Sequence, residues 1–170
     1  MTRYPLRRLR LRPGDEQIDA VAIELEPFEL GGQRYLPVPH KVEAALTVAQ
    51  ATTGLDLRLS FDVRLHGPCM RCLSDAVVDV HIDAREYHAA NAGSADELRS
   101  EYVVDDDQLE LSAWARDAIS LELPEQILHA RDCAGLCPVC GKDLNVEPHT
   151  HADEVLDPRW SALEELRDRL

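Results

Sequence analysis

Two cysteine pairs constrain this chain more than any other feature: Cys69-Met-Arg-Cys72 and Cys137-Pro-Val-Cys140. With two residues between them, both sulfurs of a pair can reach one tetrahedral cation at about 2.3 Å. Gly141 follows the second pair at the place where a tight turn needs a residue tolerant of positive φ. A disulfide framework would call for a cysteine-rich secreted chain, and this one has five cysteines in 170 residues. One C-x-x-C is a weak signal. Two make a structural metal site the leading explanation, and thiolate and imidazole donors in a closed set favour zinc. The simplest arrangement joins the two pairs around one ion. It leaves Cys133 and three neighbouring histidines, His129, His149 and His151, without a role.

The residues around the first pair define its setting. Leu55, Leu57, Leu59, Phe61, Val63 and Leu65 alternate with Asp56, Arg58, Ser60, Asp62 and Arg64. That strict period of two predicts a strand with one buried and one wet face. Val78, Val80, Ile82 and Ala84 resume the alternation beyond the cysteines, which places Cys69 and Cys72 at a hairpin tip. Val42 to Ala51, separated from the long strand by Gly54, is expected to pair with it. Short strands are expected at Ala20 to Leu25 and Tyr35 to Val38, around a turn at Gly31-Gly32. Arg3 to Arg12 predicts an edge strand with a basic face, broken at Pro13-Gly14. The acidic stretch over 89–107 predicts a solvated loop, because it lacks the glycine and closing glutamate of a calcium loop. Leu109 to Leu123 predicts a helix ended by Pro124. A second helix is expected from Asp157-Pro158, the form of an N-cap followed by proline, with Trp160, Leu163, Leu166 and Leu170 turned inward. Trp114 and Trp160 read as core anchors, and His40, His66, His81 and His88 have no ligand-like spacing. The expected fold is α+β: an antiparallel strand-rich part over 1–132 with a packed helix, then a zinc-binding module over 133–170 ending in a helix.

Composition narrows the partners. A net charge of -14 and a pI near 4.8 argue against broad, salt-driven wrapping of nucleic acid and favour a basic partner. Local RNA contact would fall to Arg3, Arg7, Arg8, Arg10 and Arg12; their other reading is a charged edge that discourages aggregation. Met1 to Pro13 has neither the apolar run nor the cleavage site of a targeting segment, and no stretch is long enough to span a membrane. The cytoplasm is the expected location, where the cysteines stay reduced unless a metal takes them.

Taken together, the C-x-x-C-Leu at Cys69 to Leu73, the strand pair, the acidic loop, the Leu121-x-Leu-Pro124 helix end and the Asp157-Pro-Arg helix frame a longer signature. That signature is Cys133-Ala-Gly-Leu-Cys137-Pro-Val-Cys140-Gly-Lys-Asp-Leu-Asn145. The whole order resembles the YceD family of bacterial large-subunit ribosomal RNA accumulation proteins. Many members of that family carry a cysteine four residues before the position of Cys133 and a C-x-C pair after the Leu-Asn. Here His129, His149 and His151 stand at those places, so each departure exchanges one zinc ligand for another. The resemblance thus implies two zinc sites: Cys69, Cys72, His129 and Cys133, and Cys137, Cys140, His149 and His151. The alternatives are one shared zinc or none. The resemblance further implies a non-catalytic role in making or stabilising large-subunit ribosomal RNA. The expected partners are a basic ribosomal protein or an RNA-processing factor, with large-subunit RNA itself as a further candidate and no small-molecule substrate. A zinc-stabilised module binding RNA directly is the alternative. A thiol enzyme using Cys133 and His129 is a weaker one, since no phosphate-binding loop or dinucleotide-binding glycine pattern accompanies them.

Overall fold

The alternating segment is the centre of the molecule. The computed structural model describes residues 2–90 and 99–151, with only the backbone of Asp106. Along β6 (Gly54–Pro68), Leu57, Leu59, Phe61, Val63 and Leu65 are buried, while Asp56, Arg58, Asp62 and Arg64 are exposed. β7 (Asp75–Ala89) runs antiparallel beside it over its whole length, from Gly54 opposite Ala89 to Pro68 opposite Asp75. The other edge of β6 is divided. β5 (Lys41–Gln50) pairs with its first half, Ala45 opposite Ser60 and Gln50 opposite Leu55, and β4 (Gln33–Pro37) pairs with its far end, Leu36 opposite His66. β2 (Glu16–Glu24) lies outside β5 and β3 (Phe28–Leu30) outside β4, which completes a six-stranded antiparallel sheet. Its wet face carries bidentate pairs between Arg58 and Asp83 and between Arg64 and Asp79.

A smaller sheet, β1 (Arg3–Pro5), β9 (Gln108–Glu110) and β8 (Val103–Val104) in that order, leads directly into α1 (Leu111–Glu122). The helix buries Leu111, Trp114, Ala115, Ala118 and Ile119, a single stripe at helical spacing. It contacts β7, β2 and β1, so it covers the core between two edge strands of the large sheet, β7 and β2. Leu46, Leu57, Leu59, Leu65, Ile82, Leu109 and Ile119 are all fully buried. Each contributes about 1.5–3 kcal/mol of burial free energy.

Four details correct the sequence reading. The N-terminal arginine-rich segment is not one edge strand. Leu6 falls on the opposite parity from Leu9 and Leu11, so no straight strand can bury all three. The chain resolves this with a turn of 3-10 helix at Leu6–Arg8 after the short β1, and all three leucines then pack on the core. The first helix begins at Leu111 because Leu109 is held in β9 opposite Tyr4. Trp114, as an anchor, is stacked by Tyr102 at 6.2 Å between centroids, and Ser100 is buried. The described end of the supposed acidic loop is therefore packed structure. β3 was not expected. The rest of that loop, 91–98, and the helix expected from Asp157, with Trp160, lie outside the described residues.

Candidate metal centres

The hairpin between β6 and β7 closes as a knuckle. The Cys69 amide donates to the Ser74 carbonyl at 2.7 Å and the Leu73 amide to the Cys69 carbonyl at 3.0 Å; Leu73 itself has a φ of 65°. The segment after α1 is pinned against this tip, with the Met70 amide donating to the Ile127 carbonyl at 2.9 Å and Ile127 buried. That anchoring brings His129 and Cys133 to the two hairpin cysteines. His129 Nδ1 lies 3.2 Å from Cys72 Sγ, and Cys133 Sγ lies 3.7 Å from Cys69 Sγ. All four donors fall within 4.8 Å of one another, with the three cysteines buried and His129 exposed. The sulfur separation is far beyond a disulfide bond. It matches the edge of about 3.8 Å of a tetrahedron with 2.3 Å metal–sulfur bonds.

The second cluster is local. In the next knuckle the Gly141 amide donates to the Cys137 carbonyl and the Cys137 amide to the Lys142 carbonyl, both at 2.8 Å, and Gly141 takes a φ of 73°. An isolated bridge between Leu136 and Asp143 closes the turn. His149 donates from Nδ1 to the Glu147 carbonyl at 2.7 Å, which leaves Nε2 3.1 Å from Cys140 Sγ. The His151 ring meets that of His149 edge-on at 5.0 Å, and Cys137, Cys140, His149 and His151 again hold four donors within 4.8 Å.

Both donor sets suit a metal ion. A ligating imidazole normally gives its other N–H to a carbonyl or carboxylate, which fixes the ring and its tautomer; His149 does so. Thiolates are the binding form of cysteine. Burial pushes the Cys69 thiol up, but hydrogen bonds with His129 and the amides of Arg71 and Cys72 outweigh it and leave it at about 5. The Cys140 amide brings Cys137 down to about 6 against the effect of burial. Burial raises the Cys133 thiol. The Glu147 carbonyl and then Cys137 raise His149. The chemistry these arrangements support is tetrahedral binding of a thiophilic cation, three sulfurs and a nitrogen in the first cluster, two and two in the second.

Of the arginines expected at the N-terminus, two are ion-paired within the protein. Arg3 bonds Glu110, and Arg7 donates from Nε to Asp107 at 2.9 Å; Arg8, Arg10 and Arg12 are exposed. Two residues near the clusters were not singled out by the sequence. Arg71, between the hairpin cysteines, donates to the Cys133 carbonyl at 3.1 Å and to Gln126 at 3.0 Å. Asn145 donates to Cys133 Sγ at 3.6 Å. Their positions inside C-x-x-C and at the end of the Leu-Asn motif are the signals that could have marked them.

Fold and clusters define a class: among the described residues, an antiparallel β protein with one covering helix, in which one Cys/His set lies between a hairpin and the post-helix segment and a second lies in the adjoining turn. Within that class, the family described as large ribosomal RNA subunit accumulation protein YceD matches residues 57–167, and the chain belongs to this family. An uncharacterized protein of Mycobacterium tuberculosis is 39% identical over 59% of this chain and 49% of its own length. An uncharacterized protein of Mycobacterium leprae is 30% identical over 79% of this chain and 69% of its own. The uncharacterized protein YlbN of Bacillus subtilis is 27% identical over 75% and 74%. The match spans about half the length of the first of these relatives. No solved structure matches.

Proposed function

We propose that the protein is a non-catalytic factor supporting accumulation or processing of large-subunit ribosomal RNA, that it holds two zinc ions, and that it acts mainly through protein partners. The observation that carries this reading is the family match over 57–167, which includes all eight clustered donors. The zinc ions supply cross-links: the first joins the β6–β7 tip to the chain after α1, and the second closes a turn too small to have a core of its own. A catalytic zinc keeps a coordination position for water. Here each set already offers four protein donors, which supports structural sites. The partner is a basic ribosomal protein or an RNA-processing factor, since a charge of -14 attracts cations and repels phosphate. Ion pairing of Arg3 and Arg7 within the protein weakens the alternative of direct RNA contact.

Depletion in the host with measurement of large- against small-subunit ribosomal RNA tests the role. A fall in the large-subunit species supports it, and unchanged ratios contradict it. Binding of purified protein to large-subunit RNA fragments across a salt series tests the route. The reading expects no tight, steeply salt-dependent binding and expects copurification with ribosomal proteins.

A further inference from the structure

Asn145 reaches from the turn of the second cluster to a sulfur of the first. Its side-chain oxygen accepts the Ala134 amide at 2.8 Å, which orients the amide group and points its NH2 at Cys133 Sγ, 3.6 Å away, and at Asp143 Oδ1. Asn145 stands on the turn that the second cluster closes. It is flanked by the Leu144 amide bonded to the Gly135 carbonyl at 2.9 Å and by the Leu136–Asp143 bridge. On the other side, the Leu136 amide donates to the Arg71 carbonyl at 3.0 Å, and Gly135 lies so close to Arg71 that a Cβ there would sit 3.3 Å from its carbonyl oxygen. The second turn is therefore seated on the first knuckle, and a side chain of the one reaches a sulfur of the other.

We infer that Asn145 is a positioning residue that couples the two metal sites, so that filling Cys137, Cys140, His149 and His151 tightens metal binding at Cys69, Cys72, His129 and Cys133. This rests on the two-site reading above. The physical reason is charge. Three thiolates and a neutral imidazole around a divalent zinc leave the first site with one negative charge, whereas two thiolates and two imidazoles leave the second neutral. Cys133 is 2% exposed, so water offers its sulfur little compensation. Donors to that sulfur have to come from the protein, and the Asn145 amide is one the second turn supplies. Hydrogen bonds that support a metal-ligating atom in this way are typically worth 10–100-fold in metal affinity. The second metal acts by holding the turn, and hence Asn145, in place.

Cadmium-113 NMR of the full chain separates the sites, because cadmium held by three sulfurs and one nitrogen resonates apart from cadmium held by two of each. Chelator competition then gives the affinity of each. In Asn145→Ala the three-sulfur site should lose about tenfold or more while the two-sulfur site keeps its metal. Cys140→Ser, which disables the second site, should weaken the three-sulfur site by a similar factor, and the double variant should weaken it no further than the stronger single one. Asn145→Asp keeps the shape but turns an oxygen toward the thiolate, and should be at least as damaging as alanine. Fluorescence of each variant in a Trp160→Phe background, where Trp114 is the remaining tryptophan, reports whether the core is retained. A three-sulfur affinity unchanged in Asn145→Ala, or unchanged when the second site is disabled, overturns the coupling. A single cadmium resonance in the unsubstituted protein overturns the two-site reading and the coupling with it.

Discussion

Cys133 and Cys140 lie in one short signature but hold different parts of the molecule. Cys133 lies 3.7 Å from Cys69 at the hairpin, whereas Cys140 lies 3.1 Å from His149 in the turn that follows. In excess zinc, Cys133→Ser should remove one ion and lower the melting temperature of the whole chain, since it severs the tie between the hairpin and the post-helix segment. Cys140→Ser should also remove one ion but shift melting by no more than about 5 °C. That corresponds to the roughly 1.4 kcal/mol of a tenfold weaker first site. Equal global losses would indicate a single shared ion. His88 gives a different residue-level expectation. It is 7% exposed with no hydrogen-bond partner for Nδ1 among the described residues, and burial, then Arg99, hold its pKa below the usual 6.5. A lowered folded pKa means the folded state resists protonation. The stability it confers is present above about pH 6.5 and is lost as pH falls from there through the folded value. The melting temperature of wild type relative to His88→Gln should therefore fall between pH 7.5 and 5.5. Zinc loss is common to both proteins, and a constant difference would contradict the assignment.

The hairpin tip shows how the elements prepare the first site. Tyr35 on β4 is fully buried, donates to the Pro68 carbonyl at 2.8 Å, and lies so close to Gly67 that a Cβ there would come within 2.2 Å of its ring. Gly67→Ala should displace the ring and cost about 1–3 kcal/mol, measured by urea unfolding of the zinc-loaded protein. A neutral substitution would show that the tip is not packed this way. β6 and β7 were legible in the sequence because one face of each is buried and the other wet, which writes the period of two into the residue order. The N-terminal segment was not, because its leucines change parity at a turn that only the core explains. The eight donors were legible as residue types. Their partition into two sets was implied by family resemblance, not by spacing, since spacing alone also allows Cys69, Cys72, Cys137 and Cys140 around one ion. What assembles the first set is the contact between Met70 and Ile127, a tertiary fact absent from any local pattern. Asn145 and Arg71 escaped notice for the same reason.

At the scale of the molecule, a strand-rich body with a continuous apolar core carries a small appendage, and on the two-site proposal the order of that appendage depends on metal. The core clusters residues from Leu6 to Cys133, while the appendage exposes Val139 and Val146. Removing metal with a strong chelator should therefore leave the far-ultraviolet β signal and the environment of Trp114 largely intact, while amides over 134–151 exchange freely with solvent; global unfolding on chelation would mean the body itself is built on metal. The two separate donor sets carry the central proposal, that this protein holds two zinc ions. Zinc analysis of the purified full chain tests it most directly: two ions per chain, falling to one in Cys133→Ser and one in Cys140→Ser, is the predicted result, and a single ion abolished by either substitution would contradict it.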